Sequence, residues 1–299
     1  RATFNGISPQ GSPGTTALSR GDWSAAVTQI LTQPSYVNVD AQATYDLSTG
    51  ILSVNTETYY TSSTADNNEI HVAVVENNVP GPQSGAQNYN PGAIISGPWS
   101  PTYNHTDMFR HLMDGSNGLS INNTTSGSFV ANTHTWNVPT DLSSGQSTNG
   151  YFPILDPFNF DVITFITANS SEIITGMKSD VTITSPNDYD VALISATAND
   201  NICATNNDIS VIIRNHGNIP LTSLDINTTI NFNSFNTYVW NGFLNIGESE
   251  TVIISNVAYT PQPINNVDIN LANPNAQTDQ NLGNNNFNFS FLNKESYGW

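Results

Sequence analysis

Apolar and polar residues alternate in several short stretches of this chain. Residues 37–44 place Val or Ala at every second position, and residues 51–60 repeat the alternation after a turn that ends at Gly50. Side chains of a strand point alternately to its two faces, so a period of two indicates a strand with one buried face. The two runs predict a β-hairpin. The apolar residues 70–75 predict a third, more fully buried strand on which His71 points outward to solvent.

The same signals continue to the C-terminal end. At Ser185-Pro186 the pattern restarts, and short strand patterns then follow roughly every ten residues without a helical pattern. The sequence therefore predicts an all-β fold with two β-sandwich domains in tandem, the second of them immunoglobulin-like. The predicted parts are an extended N-terminal arm at residues 1–18, a β-sandwich domain at 19–185 and an immunoglobulin-like β-sandwich domain at 186–299.

Two short stretches depart from the strand pattern and predict helices in the first domain. A helix that begins at Trp23 is predicted because Val27, Ile30 and Leu31 fall on the same face at helical spacing. A second short helix, inserted between strands, is predicted at residues 104–113.

The balance of charge excludes one class of partner. The chain carries 24 acidic residues against 6 Lys and Arg, so its net charge is −18. Nucleic acid is bound through neutralising Lys and Arg side chains, and a field of this sign repels phosphate. No run approaches the ~18 apolar residues that a transmembrane helix needs. We therefore expect neither nucleic acid as a partner nor a transmembrane segment.

The cysteine content and the first residue of the chain indicate the compartment in which the protein is found. Cys203 is the only cysteine, so no intrachain disulfide can form and burial of the core must supply the stability. The chain begins with Arg1 rather than Met, and we expect that a signal peptide has been removed. Polarity supplied mostly by neutral Asn, Ser and Thr is typical of extracellular β proteins. These features predict a secreted protein or one at a bacterial cell surface.

Turn motifs connect the predicted strands of residues 186–299. They are Asp190-Val191-Ala192-Leu193, Ile212-Ile213-Arg214-Asn215-His216-Gly217-Asn218, Leu244-Asn245-Ile246-Gly247-Glu248-Ser249 and Asp279-Gln280-Asn281-Leu282-Gly283-Asn284-Asn285. With these motifs, this half resembles the bacterial cell-adhesion-related immunoglobulin-like domain. The resemblance implies an immunoglobulin-like fold and says little about a ligand.

The first half carries a second resemblance, which spans most of residues 20–180. The matching parts are the helix from Trp23, Val39-Asp40-Ala41, residues 70–77, Asn104-His105-Thr106-Asp107-Met108-Phe109-Arg110 and Asp161-Val162-Ile163-Thr164-Phe165-Ile166. This half resembles the twenty-eight-kilodalton outer-membrane-protein-related family of Bacteroidetes. In that family a thioredoxin-like domain usually precedes this region. The resemblance therefore implies a cell-envelope or secreted setting. Arg1 would lie where the thioredoxin-like domain ends, so we expect that this domain is absent, removed or not part of this sequence.

Sequence motifs of known catalytic chemistry are absent. The chain contains no nucleophile elbow, paired-histidine zinc motif, phosphate loop or dinucleotide fingerprint. The strongest polar cluster lies on the predicted second helix, where His105 and His111 are six residues apart and do not share a helix face. A structural role for this cluster, with Arg110 holding loops together, is favoured over metal binding or catalysis. We therefore predict a protein that is not an enzyme.

Calcium is the one cofactor that the sequence suggests. Asp279, Asn281 and Asn284 offer oxygen ligands at closely spaced positions, somewhat like a calcium loop. The acidic residue expected at the twelfth position is missing, because Ser290 stands there. Acidic turns of this kind also occur simply as Asx turns. Calcium binding and a purely structural turn therefore both remain open.

Aromatic residues suggest a second kind of site. Trp99, Tyr103 and Trp136 lie in or near two long polar loops, at residues 77–103 and 140–157, and exposed aromatic rings there form a platform on which sugars stack. Tyr151 and Trp240 are further candidates for the same platform. Aromatic residues of β-sandwiches also serve as core, and that alternative remains open.

The sequence is compatible with three alternative functions. The first is a secreted or cell-surface structural or adhesion protein, which in one form assembles with itself into an extracellular filament by adding its N-terminal arm to a neighbour's sheet edge. The second is a surface module that binds glycans or a partner protein through the long loops. The third is a processed fragment of a larger envelope protein whose thioredoxin-like domain has been lost.

Overall fold

The fold was analysed in a computed structural model. It describes residues 2–3, 17–18, 21, 23–95, 102–139, 155–170, 172–202, 204–232 and 234–294. The chain divides into two compact units. The first unit comprises Arg1–Tyr45 and Thr49–Thr182, and the second comprises Asp46–Ser48 and Ile183–Trp299. The predicted division lies at residue 186.

Strands dominate the described part of the first unit. They are β1 (Ala2–Thr3), β2 (Ala17–Leu18), β3 (Val37–Asp46), β4 (Ile51–Tyr60), β5 (Asn68–Glu76), β6 (Val79–Pro82), β7 (Ile94–Ile95), β8 (Thr102–His105), β9 (Met108–Leu112), β10 (Leu119–Ile121), β11 (Phe129–Asn137), β12 (Phe160–Ala168) and β13 (Glu172–Thr184). The helices are α1 (Trp23–Ile30) and α2 (Ala86–Tyr89). Of the predicted N-terminal arm, β1 and β2 pair antiparallel with each other, and the rest lies outside the described residues.

One large sheet organises the first unit. Its described strands follow the order β10–β5–β12–β13–β3–β4–β11, and β9 also pairs with β5. A small separate sheet has the order β6–β8–β7. Buried residues including Val37, Tyr60, Ile70 and Ile166 form a core cluster. The predicted hairpin of β3 and β4 is confirmed, and so is the hairpin of β12 and β13.

Burial along the strands follows the sequence pattern where one face is covered. On β4, residues 52, 54, 56, 58 and 60 are buried, while the residues between them are half-buried or exposed. Strand β5 is buried on both faces, as the continuous apolar run predicts. For that reason the outward placement predicted for His71 is wrong. Its side chain is buried, with Nε2 3.1 Å from Thr167 Oγ1, and burial lowers the pKa of its imidazole.

The second predicted helix is in the wrong place. Residues 102–112 form strands β8 and β9 instead, joined by a turn in which Asp107 has a φ of 50°. Strand β8 pairs with β6, and β9 pairs with β5, so backbone pairing with distant strands outweighs local helix preference. The inserted helix is α2, a single turn within the loop predicted at residues 77–103.

Helix α1 is confirmed, but two residues of its predicted apolar stripe are exposed to solvent. Val27 is 43% exposed and Leu31, just past the end of the helix, is 78% exposed. Ala26 is the buried residue of this helix among its described side chains. Among the described residues, neither helix is long and apolar enough to cross a lipid bilayer.

The second unit is an immunoglobulin-like β-sandwich. Its described strands are β14 (Val191–Ala198), β15 (Asn201–Ile202), β16 (Asn206–Asn215), β17 (Leu221–Ile230), β18 (Ser234–Leu244), β19 (Ser249–Ala258), β20 (Ile264–Ala272) and β21 (Asn286–Lys294). One sheet has the order β14–β16–β19, and the other has the order β15–β21–β20–β17–β18. Apolar side chains from both sheets share a single core.

Candidate functional site

A pocket of about 420 Å³ opens in the first unit beside helix α2. Its described lining consists of Gln83, Ser84, Gly85, Ala86, Tyr89, Asn90, Tyr103, His105 and Thr106. The first six residues belong to helix α2 and its two flanks, and Tyr103 and His105 lie on strand β8. We call this set the tyrosine pocket.

Gly85 allows a sharp turn of the backbone that lines the pocket. Gly85 has a φ of 76°, in the left-handed region that glycine adopts without strain, and it begins helix α2. A Cβ at this position would lie 3.2 Å from the ring of Tyr89. The helix ends after one turn, where the backbone N–H of Asn90 donates to the carbonyl of Ala86 at 2.8 Å and Pro91 follows. The short helix thereby places Tyr89 at the mouth of the pocket.

Hydrogen bonds and ring contacts fix the inner side of the tyrosine pocket. Asn90 Nδ2 donates to the Tyr103 hydroxyl oxygen at 2.9 Å. The rings of Tyr103 and His105 meet edge to face, with centroids 4.8 Å apart. By contrast the ring of Tyr89 is held at the surface, and this residue is 80% exposed. The pocket therefore combines a fixed aromatic-amide floor with one open aromatic face.

The chemistry of the lining is neutral and polar. Its described part contains aromatic rings, side-chain amides, hydroxyls and one imidazole, but no Asp, Glu, Lys or Arg. Amide and hydroxyl groups both donate and accept hydrogen bonds, and an exposed tyrosine ring offers an apolar face with a polar tip. Such a lining suits a ligand with many hydroxyl groups and no charge.

A chain of three side chains elsewhere in the first unit resembles a catalytic relay. His134 Nε2 lies 3.0 Å from Thr56 Oγ1, and His134 Nδ1 lies 2.6 Å from Asp114 Oδ2. A hydroxyl, an imidazole and a carboxylate in this order would activate a nucleophile. However, Thr56 is 1% exposed and His134 is 2% exposed. A substrate cannot reach the hydroxyl, so this chain is a buried hydrogen-bond network that joins β4 to β11.

The predicted aromatic platform is only partly assembled. Tyr103 lies in the tyrosine pocket, whereas Trp136 on β11 stacks against His111 with centroids 4.4 Å apart. Trp240 is buried in the core of the second unit at 3% exposure, which is the core alternative that the sequence left open. Trp99 and Tyr151 lie outside the described residues. The ligand-binding role of Trp99, Tyr103 and Trp136 stays a prediction.

Sequence reasoning missed most of the pocket. Tyr89, Asn90 and Gln83 were hidden in the long loop, and neither a period nor a motif marked them. The available signal was indirect, because a Pro- and Gly-rich loop of this length is itself a functional indicator. The sequence marks His105 only as part of the polar cluster on the predicted second helix, and that helix is not present.

The residues predicted to bind calcium lie in one turn of the second unit. Asp279 is 5% exposed, and its Oδ1 and Oδ2 accept from the backbone N–H groups of Asn281 and Val191 at 2.8 and 3.0 Å. Asn281 Oδ1 accepts from the N–H of Gly283 at 3.3 Å, and Asn284 Nδ2 donates to Asp190 Oδ1 at 2.9 Å. The three residues predicted to bind calcium therefore lie in one turn, and Asn284 joins this turn to Asp190.

Two acidic residues earlier in the second unit, Asp200 and Asp208, accept hydrogen bonds from other parts of the chain. Asp200 Oδ1 accepts from the N–H of Leu292, and Asp208 Oδ1 accepts from the N–H of Asn256. Within the described parts of the chain, no three His, Cys, Asp or Glu side chains come close enough together to hold a metal ion. A calcium site needs no third acid or imidazole, because amide carbonyl oxygens also serve as ligands.

Comparison with known proteins gives similarities of structure alone. No protein-family model matches the sequence, and no curated protein matches it. A domain of the outer membrane lipoprotein Omp28 from Porphyromonas gingivalis is 13% identical, with 50% of this chain and 100% of that chain covered and a TM-score of 0.31. A CARDB domain from Pyrococcus furiosus, solved in complex with di-metal ions, is 19% identical over 35% of this chain and 88% of that chain, with a TM-score of 0.28.

A third solved structure matches more of the chain at lower identity. It is the sporulation control protein Spo0M from Bacillus subtilis, which is 8% identical over 87% of this chain and 91% of that chain, with a TM-score of 0.32. Identities and TM-scores of this size do not transfer a function. The resemblance of the sequence to two families therefore stays a prediction, and the chemistry of the chain's own residues must support any functional inference.

Proposed function

We propose that this chain is a non-enzymatic adhesion protein of a cell surface or the extracellular space, and that it binds neutral saccharides in the tyrosine pocket. The observation that carries the proposal is the lining itself. It presents Tyr89 and Tyr103 beside amides and hydroxyls, with no charged Asp, Glu, Lys or Arg side chain among the described residues. Saccharides bind through stacking on an aromatic face and hydrogen bonds to their hydroxyls, which this lining supplies.

Charge favours neutral saccharides over acidic ones. The chain has a net charge of −18, and the described lining holds no Lys or Arg that would pair with a carboxylate or sulfate. An acidic saccharide would therefore meet repulsion at long range and no compensating ion pair in the pocket. We expect binding to hexose or N-acetylhexosamine chains rather than to sialylated or sulfated ones.

The pocket supports binding rather than cleavage. Hydrolysis of a glycosidic bond normally uses two carboxyl groups on opposite sides of the bond. The described lining offers none, and the Thr56–His134–Asp114 chain is closed to substrate. A surface rich in neutral Asn, Ser and Thr and the immunoglobulin-like second unit fit a module that holds ligands outside the cell.

Replacing Tyr89 by alanine tests this function. The open ring is the exposed anchor of the pocket, so we expect the affinity for array-bound neutral saccharides to fall about 30-fold, which corresponds to about 2 kcal/mol. The measurement is a glycan array with the full chain, followed by calorimetric titration of the strongest ligand.

Tyr59→Ala is the matched control, because Tyr59 is a 47% exposed tyrosine on β4 and outside the pocket. Its binding should equal that of the unchanged chain. No neutral saccharide bound on the array, or equal binding by both variants, would refute the proposal.

Self-assembly is a second candidate function, and strand β18 favours it. This strand is the last in its sheet among the described residues, and its eleven residues include no charged side chain. Phe235, Val239 and Phe243 on it are more than half exposed. Natural sheet edges are usually protected by charge or proline, and an unprotected edge accepts a strand from another chain. We propose a second copy as the partner, because two strongly acidic chains repel each other least along an uncharged strand.

Val239→Lys places a charge on that edge and is expected to abolish self-association. Analytical ultracentrifugation and negative-stain electron microscopy of the full chain would show oligomers or filaments that the variant lacks. Val27→Lys introduces the same charge at a 43% exposed position on helix α1, which is not part of β18, and this variant should assemble normally. A chain that is monomeric at every concentration would contradict self-assembly through β18.

A further inference from the structure

A second cavity lies in the second unit, on the face of one sheet that points away from the core. It has a volume of about 390 Å³ and lies over strands β17, β18, β20 and β21. On β20, Val267, Ile269 and Leu271 face the core and are each 1% exposed. Asp268 and Asn270 alternate with them, so their side chains lie on the opposite face and line the cavity.

Four asparagines line this cavity, which we call the asparagine pocket. They are Asn227 on β17, Asn270 on β20, and Asn286 and Asn288 on β21. Hydrogen bonds between strands hold three of these side chains. Asn227 Oδ1 accepts from Thr237 Oγ1 at 2.8 Å, and Asn270 Nδ2 donates to Asn286 Oδ1 at 2.8 Å. Each bond uses one end of an amide, so the other end is available to donate to a ligand or accept from it.

One row across the sheet places an aromatic ring and a carboxylate on either side of Thr229. The strand register pairs Thr229 with Phe235 on β18 and with Asp268 on β20. Neighbouring strands are about 4.8 Å apart, so the Cα atoms of Phe235 and Asp268 are about 10 Å apart. Phe235 is 70% exposed, and its ring is therefore accessible from the cavity. A small planar group above Thr229 can contact the ring on one side and the carboxylate on the other.

Asp268 is the charged residue of the described lining, and one of its oxygens is available to a ligand. With the amide nitrogen of Asn288 turned toward the carboxylate, Asn288 Nδ2 donates to Asp268 Oδ1 at 3.0 Å. Among the described residues none donates to Asp268 Oδ2. Asp225, two residues before Asn227 and on the same face of β17, adds a second negative charge nearby. The pocket therefore favours a cation.

We propose that the asparagine pocket binds an arginine side chain of a partner protein. A guanidinium is planar, pairs with carboxylates through a fork of N–H donors and stacks on aromatic rings. Asp268 Oδ2 accepts from it in a charge-assisted hydrogen bond, and the ring of Phe235 attracts the cation. Asn270 Oδ1 accepts a further N–H. A lysine ammonium is a compact point charge without a planar face, so it fits this arrangement less well.

The amides of the pocket favour a polypeptide over a small free cation. Asn227 Nδ2 and Asn286 Nδ2 are donors, which a guanidinium cannot use but the peptide carbonyls that flank an arginine can. The net charge of −18 also speeds the approach of a basic partner. The carboxylate distinguishes this pocket from the neutral tyrosine pocket. The proposal goes beyond the saccharide function, lies in the other unit and does not depend on it.

A peptide titration of the full chain, followed by NMR of the backbone amides, tests the proposal. The probe is an acetylated and amidated Gly-Ser-Arg-Ser-Gly peptide, and a matched peptide carries citrulline, which has nearly the same shape without the charge. We expect saturable shifts of the β17, β18 and β20 amides, and about 10-fold weaker binding of the citrulline peptide. About 1 M NaCl, at which the Debye length is about 3 Å, should also weaken binding of the arginine peptide.

Two variants locate the site. Asp268→Asn removes the charge at nearly unchanged size, and it should weaken the arginine peptide about 10-fold. Phe235→Leu removes the aromatic ring and should weaken it about threefold to fivefold. Glu250→Gln removes one negative charge from an exposed position on β19, in the other sheet, and should bind like the unchanged chain. Circular dichroism checks the folding of each variant.

Several results would overturn the arginine site. These are equal binding of the arginine and citrulline peptides, equal affinity of folded Asp268→Asn and the unchanged chain, or amide shifts outside the asparagine pocket. Tighter binding of putrescine, a diamine without peptide groups, would identify a small amine as the occupant and would also contradict the proposal. If Asp268→Asn does not fold, the comparison of the two peptides on the unchanged chain decides the question.

Discussion

Arg110→Met is expected to lower the free energy of unfolding of the first unit by about 3–5 kcal/mol, because it leaves a buried carboxylate without its cation. Arg110 Nε donates to Glu76 Oε2 at 2.7 Å, and the two side chains are 9% and 3% exposed. Glu76 Oε1 also accepts from the backbone N–H of Asp156 at 3.0 Å. Burial raises the pKa of Glu76 even though Arg110 and this N–H oppose the shift. Hydrogen exchange of the β5 backbone amides, compared between the unchanged chain and Arg110→Met, would measure the loss of stability.

The sign of the pH dependence follows from the raised pKa of Glu76. The folded chain holds this proton more tightly than the unfolded chain, so the contribution of the group favours folding at low pH and is lost as the pH rises through the folded pKa. The deficit of Arg110→Met should therefore shrink as the pH falls toward the ordinary glutamate value of 4.5.

Lys178→Met is the matched control for the loss of a cation. Lys178 is 46% exposed and pairs with Asp107 and Asp161 at the surface. An exposed pair of this kind contributes at most about 1 kcal/mol. Equal destabilisation by Arg110→Met and Lys178→Met would show that the Glu76–Arg110 pair is not buried as described.

Trp240→Ala is expected to destabilise the second unit by about 3–5 kcal/mol, the usual cost of removing a large buried aromatic side chain. Trp240 is 3% exposed and belongs to the shared core of the two sheets. A Cβ on Gly242 would overlap its indole ring, so the backbone of β18 packs directly against it. Hydrogen exchange of the β17 amides would measure the loss.

Phe243→Ala provides the comparison on the same strand. Phe243 is 61% exposed, so its removal should change the stability of the unit by no more than about 0.5 kcal/mol. If Trp240 belonged to a surface platform instead, its loss would weaken ligand binding and leave stability unchanged.

The strand framework was predictable because it depends on local alternation. The run at residues 51–60 is strand β4 as predicted, and every predicted strand of the second unit has its counterpart. Prediction failed where residues distant in sequence determine the secondary structure of a segment or the burial of a side chain. Residues 104–113 read as a helix locally, yet pairing with β5 and β6 makes them strands. His71 alternates outward, but that face of β5 is also buried, and the imidazole of His71 stacks against the ring of Phe165.

The candidate sites were less predictable than the fold. A pocket is formed by residues that come together only after the chain turns. The left-handed turn at Gly85 places Tyr89 in the same pocket lining as Tyr103. Asp279, Asn281 and Asn284 belong to one turn, as their spacing indicates, and calcium binding by them stays a prediction. The hydrogen bond from Asn284 Nδ2 to Asp190 Oδ1 joins residues far apart in sequence, so spacing does not reveal it. Trp240 belongs to the core alternative, which the sequence could not decide because a buried aromatic side chain on a sandwich strand is indistinguishable in sequence from an exposed one.

A crystal structure of the full chain with its strongest array ligand tests the central proposal most directly. The neutral lining predicts a sugar ring stacked on Tyr89, with ring hydroxyls hydrogen-bonded to the side chains of Asn90 and Tyr103. A saccharide bound at Trp136 or on the second unit, with the tyrosine pocket empty, would contradict it.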